Sequence, residues 1–165
     1  MTIEEKTTTG NTNNSPHIGG AGRGSLHSRY FTLAELTRSA TAKQLNLDNA
    51  PTPEVVASLQ ALVTHVLDPL RQLCGQPIYV SSGYRSPELN AAVRGATNSQ
   101  HMKGEAADIT TGTRDGDRRL LGIALKEADT LKFDQLIAER CDRNGRPKWL
   151  HISFGARSRG QVLYD

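Results

Sequence analysis

No stretch of this chain approaches the ~18 consecutive apolar residues that a membrane-crossing helix needs, so no membrane span is expected. The opening, with Thr2, Glu4 and Glu5, has neither the basic patch nor the apolar run of a classical secretory signal. The chain is therefore expected to stay in the cytoplasm until released or exported by another route. Cysteine is scarce: Cys74 and Cys141 lack the paired close spacing of a structural zinc clip, and both are read as free thiols. A strong excess of one charge is also missing, since 20 Lys and Arg against 17 Asp and Glu leave a formal charge of +3. That is too small for the electrostatic footprint of tight nucleic-acid binding. The basic residues Arg140, Arg143, Arg146, Lys148, Arg157 and Arg159 do cluster along the chain, but Asp142 interrupts them and they read as solvated loops. No internal repeat is visible.

The 165 residues fit one domain with a core of its own. Hydrophobic residues make up 36%, low enough that part of the chain is not expected to pack. That part is Met1–Ser28, where 16 of 28 residues are Thr, Gly, Asn or Ser. Such a segment cannot offset its own ordering entropy, so 1–28 reads as a disordered tail and 29–165 as the domain, with packing from near Tyr30. His17 and His27 fall in the tail and are given no role.

Thr32 and Glu35 form a capping box for a short helix over 33–38, and a second turn is expected over 40–45. Thr52 caps a long amphipathic helix with Pro53 at its first position; Val55, Leu59, Leu62, Val66, Leu70 and Leu73 recur along it until Gly75. Pro69 should kink it, because proline lacks the N–H and crowds the preceding turn. His65 lies at the edge of the stripe. Beyond Gly75 the period changes. Strands are expected at 78–82, 106–110, 133–139 and 149–154, with an edge strand at 161–164 and helices at 86–93 and 115–127. The fold class is α+β, a small mainly antiparallel sheet with helices around it and the functional site on one face.

The chemistry concentrates in Ser99-Gln-His101-Met-Lys-Gly104-Glu-Ala106-Ala-Asp108, a polar loop feeding a strand, with small residues leaving room around it. Neutral imidazole and carboxylate are good zinc ligands, and a catalytic site takes three protein ligands and keeps one position open. His101 and Asp108 supply two. His151 is available as a third, since alternation in Trp149-Leu-His-Ile-Ser-Phe154 puts Trp149, His151 and Ser153 on one face and Leu150, Ile152 and Phe154 on the other. Each histidine alone reads equally as a hydrogen-bonded structural residue.

Four blocks, Ser81-Ser-Gly-Tyr-Arg85-Ser86, the S-x-H-x-x-G-x-A-x-D pattern from Ser99 to Asp108, Phe133-Asp-Gln-Leu-Ile137 and Trp149-Leu-His151, resemble the zinc D-Ala-D-Ala carboxypeptidases and related peptidoglycan peptidases. That group shares its zinc fold with lysostaphin-type enzymes and the hedgehog signalling domain. The resemblance spans roughly residues 30–165. It implies that His101, Asp108 and His151 are zinc ligands and that Arg85, with Ser99, faces the substrate. A guanidinium fork suits that position, since it can grip a carboxylate or polarise a carbonyl.

In one respect the pattern departs. Relatives commonly carry an acidic general base three positions before the last histidine, and here that position is Lys148. Glu139, ending the strand that pairs with the one bearing His151, is the first candidate replacement. Glu105 ranks below it, being expected on the opposite face from Ala106 and Asp108, and Asp134 comes third. The expected function is zinc-dependent hydrolysis of amide bonds in peptidoglycan stem or cross-link peptides by a monomer acting at the bacterial cell wall. The alternative is a non-catalytic, zinc-stabilised wall-binding domain that has lost its base.

Overall fold

The computed structural model describes residues 25–165, so most of the expected tail lies outside the described residues. Among the described residues, Leu26 already packs on the core, four residues before Tyr30. Gln60 brackets the backbone of His27, its carbonyl accepting from His27 N at 2.7 Å and its amide donating to His27 O at 2.8 Å. Ser28 Oγ donates to Asp68 Oδ1 at 2.6 Å.

Thr32 and Glu35 make the expected capping box on α1, Leu33–Thr37, and Ser39 caps α2, Ala40–Gln44. The long helix is not continuous. α3, Pro53–Leu62, passes into a π-helical turn, Val63–Leu67, before α4, Asp68–Cys74. In that turn Asp68 N–H donates to Val63 O, one residue further back than in an α-helix. The wider turn lies just before Pro69, whose missing N–H would have broken an α-helical ladder there. Beyond the turn Leu70 keeps its place on the apolar stripe, while Leu73, expected there too, is 52% exposed. Leu59, Leu62, Val66 and Leu70 are fully buried. Gly75, at φ 68°, ends α4 in the left-handed conformation.

The remaining elements are β1, Tyr79–Ser82; α5, Pro87–Ala92; a 3-10 turn, Gln100–Lys103; β2, Ala106–Thr110; α6, Arg114–Lys126; α7, Ala128–Leu131; β3, Gln135–Glu139; β4, Trp149–Ser153; and β5, Gln161–Tyr164. The 3-10 turn and α7 carry no periodic signal long enough to announce them. The sheet runs β1-β2-β4-β3-β5, antiparallel throughout except for β5, which joins β3 in parallel. The expected edge strand is thus present, and the sheet is mixed.

One face of this sheet, with Val80, Ala107, Ile109, Leu136, Ala138, Leu150 and Ile152, packs against α3, the π turn, α4 and α6 to form the core. Period-two alternation sends the intervening residues to the other face. There Asp108 on β2 stands opposite His151 on β4, Ile137 on β3 stands opposite His151 from the other side, and Glu139 stands opposite Trp149. No helix is long and apolar enough to cross a membrane among the described residues. Cys74 and Cys141 are free.

Candidate metal centre

His101 reaches the open face of the sheet from the 3-10 turn rather than from a strand. Ser99 Oγ accepts from His101 N at 3.3 Å and starts the turn; Gly104, at φ 70°, stops it. A Cβ on Gly104 would lie 2.7 Å from Val55 O, so conformation and space both demand glycine. The chain is locked a second time at Gly83, whose carbonyl accepts from His101 Nδ1 at 2.8 Å, while Arg85 N donates to His101 O at 3.1 Å.

That carbonyl decides the tautomer. It can only accept, so Nδ1 carries the proton, and a neutral ring turns a bare Nε2 toward Asp108 Oδ1, 3.3 Å away. His151 Nδ1 lies 3.0 Å from the same oxygen. Donor atoms of the three residues fall within 4.8 Å of one another. A lone pair facing a carboxylate oxygen is repulsive unless a cation lies between them. The donor set fits a divalent ion: tetrahedral zinc with bonds near 2.1 Å has edges of about 3.4 Å, close to both distances onto Asp108. His101 is buried and the other two are partly shielded, with side chains 13% and 12% exposed.

Arg85 completes the surroundings. Its Nη2 donates to Asp108 Oδ2 at 3.0 Å and its Nε to Ser82 Oγ at 2.9 Å. Asp108 thus presents one oxygen to the histidines and the other to a guanidinium. Burial pushes the Asp108 carboxyl up, yet the hydrogen bonds and charge that His101 and His151 would supply in their protonated, metal-free form outweigh it and hold the group well below the usual carboxylate range.

The three side chains sit in a cleft of about 920 Å³. Glu139, Glu105, Asp134, Arg85 and Ser99 all line it, as do Trp149 and Gln100. Glu139 lies beside the metal donors' end of the sheet. Burial pushes its carboxyl up, and the negative charges of Asp108 and Asp165 push it further, with His151 partly opposing them. Lys148 stays out of the cleft, its backbone N–H donating to Glu139 O at 2.8 Å and its ammonium lying 5.9 Å from the Trp149 ring.

Two expectations need correction. Glu105 does line the cleft, at its edge just before β2 begins at Ala106, where Gly155 and Ala156 line it too. Asp134 is an anchor: it is fully buried and accepts from Arg159 Nε at 2.8 Å, Arg159 Nη2 at 2.7 Å and Gln100 Nε2 at 2.8 Å. The hydrogen bonds from Arg159 hold its carboxyl down at about 2, opposite to what a proton acceptor at neutral pH requires. Gln100, Ser82 and Trp149 were legible in the sequence, since all three sit inside the quoted blocks and alternation puts Trp149 on the His151 face. Arg159 gave no signal as a cleft residue.

A family model described as Peptidase M15 matches residues 29–152, three quarters of the chain and all three metal-donor positions. The chain belongs to the peptidase M15 family. A zinc D-Ala-D-Ala carboxypeptidase of Streptomyces albus G is 38% identical to this M15 chain over 86 residues, 51% of the chain and 32% of that relative. The match therefore spans about a third of the relative's length.

Proposed function

We propose that this M15 domain is a zinc metallopeptidase that hydrolyses an amide bond in the stem or cross-link peptides of bacterial peptidoglycan, with His101, Asp108 and His151 holding the metal. The observation that carries this reading is the convergence of those three donors within 4.8 Å in a cleft that also holds a carboxylate, Glu139, with a raised affinity for protons. Family membership and the name of the Streptomyces relative support it. When bound there, zinc supplies a Lewis acid for the scissile carbonyl and acidifies a water molecule.

The chain's own residues supply the rest. The Gly83 carbonyl keeps His101 in the tautomer whose Nε2 is free, and Arg85 fixes the rotation of the Asp108 carboxylate. Glu139 takes a proton from water and returns it to the leaving amine. Its raised proton affinity suits both halves of that task. The remaining donor capacity of Arg85 and the hydroxyl of Ser99 face the peptide. The reading places the activity at the cell wall and treats the protein as a monomer.

Lys148, in the position where relatives carry the base, favours a second reading: a wall-binding domain that keeps zinc for stability. One experiment separates the two. Purified protein should carry one zinc and release peptide from peptidoglycan, and His151→Ala should lose both while staying folded. Wall binding without peptide release would support the second reading; a native protein unable to bind zinc would overturn both.

A further inference from the structure

Among the charged groups lining the cleft, Asp108 is paired with Arg85 and Asp134 with Arg159, while Glu139 stands beside the candidate metal donors. Glu105 is the remaining acid, and its carboxylate, like the cleft-lining Lys103 and Arg157, makes no ion pair among the described residues. It is nevertheless held in place. Glu105 N donates to Gln100 O at 3.1 Å and Glu105 O accepts from Phe154 N at 2.8 Å, which extends the β2–β4 ladder by one step. The half-buried side chain lies against Gly155, where a Cβ would come within 3.2 Å of the carboxyl carbon. Glycine there leaves the carboxylate room.

This carboxylate occupies a junction. Glu105, Gly155 and Ala156 line both the main cleft and a second groove of about 430 Å³ whose other walls include Ser58, Ala61 and Phe154. Phe154 is in turn fixed by the His65 ring stacked on it at 4.7 Å. Since Glu105 pairs with Phe154, it lies three residues along β4 from His151, about 10 Å at strand rise. An extended peptide covers that span in two to three residues.

We propose that Glu105 is a specificity residue that pairs with the side-chain ammonium of a diamino acid lying two residues from the scissile bond. The inference rests on the peptidase reading above. Peptidoglycan stem peptides have their diamino acid as the third of up to five residues. It is therefore second from the cut whether the first or the fourth bond is hydrolysed. Its amine is cationic when free and neutral once used in a cross-link, so Glu105 would distinguish uncross-linked from cross-linked strands.

The test uses two soluble disaccharide-pentapeptides that differ only in whether a third-position lysine carries a free or an acetylated amine. Binding to the zinc-loaded full chain carrying Glu139→Gln is measured by calorimetry, and turnover by the zinc-loaded unmodified chain. The free amine should bind three- to tenfold more tightly, the range of one partly shielded ion pair, and show the same advantage in KM with kcat unchanged. Adding Glu105→Gln should erase the difference, and Glu105→Lys should reverse it. Equal binding of the two peptides, or discrimination that survives Glu105→Gln, overturns the inference and leaves the peptidase reading standing. A Glu105→Gln variant that loses kcat at unchanged KM overturns it too, assigning Glu105 to the chemistry. Discrimination in binding with neither peptide cut defeats the peptidase reading instead.

Discussion

Asp108 is shared three ways, by two histidines and an arginine, and each partner asks something different of it. One carboxylate oxygen faces the histidines, where a bound cation would bridge them; the guanidinium takes that oxygen's twin and fixes its plane. Glu139 sits at the other chemical extreme, crowded by burial and by the charge of Asp108 so that a proton is held more readily. Glu139→Gln should therefore lower kcat by about two to four orders of magnitude with zinc content unchanged, as measured by metal analysis alongside peptide release. An undiminished rate would remove Glu139 from the chemistry. At this scale the sequence was informative where a donor type recurred in a spaced pattern, as for His101, Asp108 and His151. It was uninformative where the partner is set only by folding, as when Arg159 from a distant loop closes on Asp134.

Among the elements, the strands were legible because hydrophobic alternation is imposed by one-sided burial: Ala106–Thr110 appears in the structure with the bounds the alternation gave. The helix through Pro69 was legible as an apolar stripe but not as an interrupted one. Nothing local distinguishes a kink from a π turn. The parallel pairing of β5 with β3 was equally hidden, since pairing direction depends on the route of residues 154–160. That route is pinned where Arg159 N and side chain meet Asp134. The folded-state value of Asp134, about 2, lies beneath the ~3.9 of an unfolded aspartate, so its ionised form adds stability above pH ~4 that is lost as pH falls toward 2. Asp134→Asn should consequently cost about 2 kcal/mol near pH 7, and the gap to the unmodified protein should narrow between pH 4 and pH 2 in urea unfolding. A gap constant across that range would mean the carboxylate's charge contributes nothing.

At the scale of the whole molecule, the three candidate metal donors come from a turn and two strands, with Asp108 and His151 43 positions apart. They converge only when the sheet has formed, so metal binding there would be linked to folding. Zinc at a hundredfold excess over its dissociation constant should stabilise the domain by about 2.7 kcal/mol, a rise in melting temperature of roughly 5–10 °C. Chelator should reverse the rise and His101→Ala should abolish it, both read by differential scanning calorimetry. A melting point indifferent to zinc would mean that the donors do not act as a metal site. Of the basic residues clustered along the chain, Arg146 is engaged by Asp142 and Asp115, and Arg159 by Asp134.

The register of β2 against β4 sets which side chains meet at the centre. Because neighbouring positions alternate between oil and cleft, one inserted or deleted residue inside either strand would swing Asp108 or His151 into the interior. The turn at 140–148 lies outside that ladder but is tied back at both sides, where Arg114 donates to Arg140 O and Arg146 O and Arg146 pairs with Asp115. Only its exposed tip, 143–145, stands clear of those ties, and a library built to redirect this scaffold toward other peptides has its safest room for diversity there.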